Sequence, residues 1–95
     1  MKQFKDLQFY EHESVASYRA IGVEKHTLHA VMNFENGYGV SVILGDDYYS
    51  NGVDTYEVAI LKDGGICHDT TIKNAILGYQ TEEQVNEIIE RVQSY

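Results

Sequence analysis

Asn36-Gly37 lies between two apolar runs, LHAVMNF (28–34) and YGVSVIL (38–44). This is the strongest short-range hairpin signal in the chain, because both residues tolerate the positive φ that a type I′ turn demands at its two central positions. With Asn36 and Gly37 at those positions, Glu35 faces Tyr38, Asn33 faces Val40, Val31 faces Val42 and His29 faces Leu44. Leu28, Ala30, Met32 and Phe34 then share a face with Gly39, Ser41 and Ile43. That face is the expected seat of a helix, since Gly39 and Ser41 leave room for larger groups.

Residues 55–62 predict a third strand, with Tyr56, Val58 and Ile60 on one side and Glu57, Ala59 and Leu61 on the other. Asp63-Gly64-Gly65 marks a turn, and Ile66-Cys67-His68 a short return. The connections are too short for crossover helices, so the strands run mainly antiparallel. The end of the chain carries a helix over 81–94. Thr81 and Gln84 form a capping box, Val85, Ile88, Ile89 and Val92 recur at helical spacing, and acidic Glu82 and Glu83 sit at the positive helix end.

The expectation is one α+β domain over residues 1–95. A three- to five-stranded, mainly antiparallel sheet (core about 24–68) carries the C-terminal helix on one face. Residues 4–10 read as an edge strand or a helical turn. Residues 11–22 read as a surface excursion feeding a strand from about Glu24, although Val15 and Tyr18 keep near-helical spacing. Residues 46–54 form a polar connection with a turn at Asn51-Gly52, and 69–80 read as a short helical turn or irregular segment.

Fifteen acidic against seven basic residues give a formal charge of −8. Such a chain repels phosphates, so direct nucleic-acid binding is not expected. The charge also suits an ordinary soluble bacterial-type protein. The single cysteine, Cys67, has no internal disulfide partner and favours a reducing compartment. The charged start MKQFKDLQF reads as part of the mature protein, and no long apolar run predicts a membrane span. The expected location is the cytoplasm of a bacterial host cell.

Chemistry-bearing motifs are sparse. His12, His26, His29 and His68 lack the helical or paired-cysteine spacing of a metal site and read as structural or surface residues; no metal or other cofactor is expected. Cys67 reads as structural, because His68 beside it points to the opposite face of an extended strand. Asp46-Asp47 lacks the alternating oxygen ligands of a calcium loop. Gly37, Gly39, Gly64 and Gly65 form no phosphate cradle.

The more specific pattern is acidity beside tyrosine. Glu35 and Tyr38 frame the hairpin tip, and Asp46, Asp47, Tyr48, Tyr49 and Asp54 populate the next loop. Carboxylates can meet a basic partner while tyrosines supply contact area at modest entropic cost. Glu83, Glu87 and Glu90 offer a second acidic surface. The bland reading of all these residues is a solvated rim.

The runs NFENGYGVSVILG and YEVAILKDGG, followed by HDTTIKNAILGYQTEEQVNEIIERV, resemble small acidic proteins encoded by tailed bacteriophages and prophages. Members of that group similarly carry an NGYGVSV hairpin, a YE-x-x-x-LK strand and a final GY-x-TEE helix. The resemblance covers about residues 28–92. Asn36, Gly37, Tyr38 and Gly39 carry its first motif and Tyr56, Glu57 and Lys62 its second. Asp69, Thr70, Gly78, Tyr79, Thr81, Glu82 and Glu83 carry the last. Asp69-Thr70-Thr71 departs from the group's DTP pattern, so any turn there is specified without proline.

The resemblance implies no catalytic residues. It implies phage origin and favours a small accessory protein that binds and modulates a host or defence protein. The acidic residues point to a basic surface on that partner, and the lack of catalytic motifs points to no enzymatic activity. The alternatives are a small-ligand binding module, a nucleic-acid-mimic inhibitor and a metal-dependent or cysteine enzyme. An edge strand can also pair between copies to form a homo-oligomer.

Overall fold

The central hairpin forms one residue out of the expected register. In the computed structural model, which describes residues 1–66 and 75–95, β2 (Leu28–Asn33) pairs antiparallel with β3 (Tyr38–Leu44). Met32 faces Val40 and Ala30 faces Val42. The loop has three residues, Glu35-Asn36-Gly37. Gly37 has φ +86° while Asn36 does not adopt positive φ. Gly37 N–H donates to Phe34 O (3.3 Å) and Phe34 N–H to Tyr38 O (2.8 Å). This is a type I turn closed by a left-handed glycine rather than a type I′ turn.

The shift decides the core, because a slip of one residue turns a strand over relative to its neighbour. Ala30 and Met32 are buried as expected, but their companions are Val40 and Val42, both 0% exposed, rather than Gly39, Ser41 and Ile43. Ile43 lies on the opposite face beside His29.

β4 (Tyr56–Lys62) pairs antiparallel with β3, and Val58 and Ile60 join the buried face as their spacing predicts. The helix α2 (Glu82–Gln93) covers that face with Val85, Ile88, Ile89 and Val92. Its capping box is complete. Gln84 N–H donates to Thr81 Oγ1 (3.2 Å), and Thr81 N–H donates to Gln84 Oε1 (2.9 Å).

The far helix end is held by the hairpin loop. Asn36 Nδ2 donates to the carbonyls of Val92 (3.0 Å) and Gln93 (3.4 Å) in the last turn of α2, where carbonyls run out of intrahelical partners, and to that of Tyr95 (3.2 Å) just beyond it. Phe4, on a single helical turn at Phe4–Asp6, and Phe9 beyond it close the layer over Tyr56 (ring centroids 5.4 and 6.0 Å away).

The α+β class and the antiparallel sheet are as expected, but the described residues form six strands rather than three to five, the additional ones being short pieces at the sheet's margins. The two-residue strand β1 (Tyr10–Glu11) extends the edge beyond β2. Strands β5 (Gly65–Ile66) and β6 (Ile76–Gln80) share the outer edge of β4. Two further expectations are corrected. Residues 76–80 form a strand instead of a helical turn, since β4 offers an open ladder along Tyr56–Ala59. Residues 14–20 form the helix α1 (Ser14–Ala20), whose Val15 is 1% exposed, instead of a surface excursion, and β2 begins at Leu28. Cys67, His68 and the 69–74 part of the irregular segment lie outside the described residues.

Candidate functional site

The seven acidic and tyrosine residues singled out above divide between the two ends of the sheet. Glu35 and Tyr38 lie at the hairpin end. The β3–β4 connection carrying Asp46, Asp47, Tyr48, Tyr49 and Asp54 lies at the other, a seven-residue strand away, or about 20 Å. Tyr38 packs edge-on against Tyr95 (5.2 Å between centroids), with Lys62 Nζ 4.9 Å from its ring. Glu35 lines an open cleft of about 790 Å³ together with Lys2, Asp6, Asn33, Asn36 and Gln93. Met1 and Phe34 also line it, so the lining mixes apolar and polar groups and is more polar than the predominantly apolar walls typical of small-molecule sites.

The connection at the other end is ordered by its own side chains. Ser50, 4% exposed, accepts the N–H groups of Gly45 (3.1 Å) and Gly52 (3.0 Å) and donates to Thr55 O. Asn51 Oδ1 accepts the amides of Val53, Asp54 and Thr55 at 2.8–3.0 Å. Gly52, at φ +75°, supplies the left-handed step. The Asn51-Gly52 turn is therefore present, within a loop whose internal bonds fix its shape.

The loop's acids are not equivalent. Lys25 Nζ lies 2.9 Å from Asp47 Oδ1 and 3.7 Å from Asp46 Oδ1. The hydrogen bond to Asp47 raises the lysine pKa, burial opposes it, and the Asp46 charge adds to the rise. Asp47 is thus largely matched within the chain, while the Asp46 side chain is 71% exposed. Asp54 accepts from Asn51 Nδ2 (2.7 Å). Burial raises the Tyr56 pKa, and the nearby carboxylates of Glu82 and Asp54 raise it further, so the start of α2 adds charge to this end.

The adjacent tyrosines face different ways. Tyr48 is half-buried against His12, with centroids 5.1 Å apart and its hydroxyl 3.4 Å from His12 Nε2. Tyr49 is 61% exposed and meets Tyr79, 59% exposed, edge to face at 6.5 Å.

This second pair depends on an irregularity in β6. Tyr56 pairs with Gln80 and Val58 with Leu77, so Gly78 and Tyr79 together oppose Glu57. Tyr79 takes φ +54°. Such a bulge withdraws a residue from the ladder and re-aims its side chain. Tyr79 N–H donates to Tyr49 O (2.9 Å). A Cβ at Gly78 would stand 2.7 Å from Tyr49 Cβ, so glycine permits the close approach.

Sequence reasoning missed Tyr79, Gly78, Ser50 and the role of Asn51 beyond its turn. The Ser50-Asn51-Gly52 and Gly78-Tyr79 runs were the available signals. Among the described residues, no three histidine, cysteine, aspartate or glutamate side chains converge as a metal site, and no helix is long and apolar enough to cross a membrane. Comparison with protein-family models, curated proteins and solved structures gives no match.

Proposed function

We propose that this protein is a small, non-enzymatic interaction domain of phage type that binds a basic surface of a host or defence protein. The contact surface is the acidic end of the sheet where the 46–54 connection meets β6. The observation that carries this reading is the Tyr49–Tyr79 pair. Two exposed aromatic rings are held together by a backbone hydrogen bond, a bulge and a glycine contact. Aromatic side chains presented on a fixed backbone lose little conformational freedom on binding, and tyrosine is enriched among energetically dominant contacts. Asp46, Asp54 and Glu82 supply negative charge to steer a basic partner toward them. Asp47 contributes less because Lys25 holds it.

The test is a tagged pull-down from host lysate followed by native mass analysis, comparing the wild type with Y49S/Y79N. Asparagine at position 79 tolerates the left-handed backbone, so the double variant removes the rings without forcing the bulge to rearrange. A stoichiometric basic protein captured by the wild type and lost from Y49S/Y79N supports the reading. Equal capture by both removes the aromatic pair from it. Retention of a small molecule alone favours a ligand-binding module.

A further inference from the structure

His12 and His29 meet on the sheet face opposite α2, with ring centroids 5.3 Å apart. Both lie between groups that carry the local architecture. His12 Nδ1 accepts the backbone N–H of Ser14 (3.0 Å) and lies 2.8 Å from Ser14 Oγ, at the entry to α1. With Nδ1 accepting, the neutral ring carries its proton on Nε2, which faces the Tyr48 hydroxyl. His29 Nε2 lies 2.6 Å from Ser41 Oγ and His29 Nδ1 lies 3.3 Å from the Tyr10 hydroxyl. One imidazole pair therefore ties together β1, the start of α1, β2, β3 and the 46–54 connection.

We propose that His12 and His29 form an acid-operated latch that holds the start of α1 and Tyr48 in place while the rings are neutral and releases them on protonation. A proton on His12 Nδ1 turns the ring into a donor, which Ser14 Oγ can accept, but it leaves the backbone N–H of Ser14 facing another donor. A second proton on His29 sets two positive rings about one ring-width apart. The titratable groups around the pair are Tyr10 on β1, Glu13 at the start of α1 and Tyr48 on the connection; β3 presents the neutral Ser41 and Ile43. Glu13 is the acid that opposes release, and its charge offsets burial and the His12 charge only in part.

Because Tyr48 precedes Tyr49 in the chain, the latch would regulate presentation of the aromatic pair, a consequence that rests on the function proposed above. The latch itself is tested on the free protein. Histidine-ring, Tyr48-ring and amide-exchange signals are followed by NMR from about pH 7.5 to 5, the range in which histidine titrates. In the wild type, the Tyr48 ring signals shift, and the exchange-protection factors of Ser14 and Val15 fall severalfold, in step with ring protonation.

In H12N the side-chain oxygen still accepts from Ser14 N–H but cannot titrate, and the α1 response is lost. H29Q removes the second charge and narrows the response. Ring titration with unchanged Tyr48 and α1 signals overturns the latch, as does an unaltered α1 response in H12N. Should H29Q fail to fold, the wild-type and H12N comparison still decides. A negative result here leaves the pull-down comparison of Y49S/Y79N untouched.

Discussion

Asn36 shows how much one side chain can do at a turn. Its Oδ1 accepts Tyr38 N–H (3.0 Å) and its Nδ2 reaches the carbonyls of Val92 and Gln93 at the end of α2 and of Tyr95 beyond it. An N36A variant should therefore lose about 1 kcal/mol of stability in urea unfolding, because the part-buried Val92 contact and the exposed contacts to Tyr38 and Tyr95 are lost together. N36G keeps the turn but not the helix contact, and should be similarly destabilised. A smaller loss in N36G than in N36A would mean that backbone conformation outweighs the carbonyl contacts.

The turn was legible as a turn, but its type was not. The carbonyls that Asn36 serves lie 56 to 59 residues away, beyond any local pattern. Tyr79 makes the complementary case. At φ +54°, Y79N should fold with little change, whereas Y79V should cost about 1–2 kcal/mol, because a β-branched residue clashes in that region. Equal stability of the two variants would show that the bulge relaxes.

Among the elements, α2 was readable because its determinants are local: a cap three residues from its partner and an apolar stripe at helical spacing. T81A should lower stability by about 1 kcal/mol through loss of the cap, and I89A by about 2–5 kcal/mol through the cavity left under a fully buried side chain. Similar costs for the two would mean that α2 is held by its ends rather than by its buried face.

β6 was not readable. Its exposure follows no alternation, the bulge breaks its period, and Gly78 interrupts any pattern. It is a strand because β4 leaves a ladder to fill. α1 was equally obscure, since a helix of seven residues with one buried side chain offers too few turns for periodicity to show. The candidate site inherits this division. The tyrosines and acids of the 46–54 connection stood out in sequence, while Tyr79, which completes the aromatic pair, came from the element whose type was misread.

For the whole molecule, two electrostatic effects oppose each other as pH falls below neutrality. A formal charge of −8 makes the folded chain repel itself, and protonation of its histidines relieves that repulsion. His29 acts in the other direction. Burial, and then the neighbouring His12, lower its pKa below the ordinary 6.5. The unfolded chain therefore binds its proton first. The stability contributed by neutral His29 is complete above pH 6.5 and is lost as pH falls through the folded-state value.

Salt separates the two effects. At 1 M the screening length falls to about 3 Å, which suppresses the diffuse repulsion between exposed carboxylates more than a partly buried ring contact. In high salt the urea midpoint should decline between about pH 7.5 and 5.5, and the decline should shrink in H29Q. At low salt, relief of the net charge should flatten the same curve. A midpoint that rises on acidification in high salt, or falls equally in H29Q, would place the acid sensitivity elsewhere in the chain and separate it from the imidazole pair beneath Tyr48.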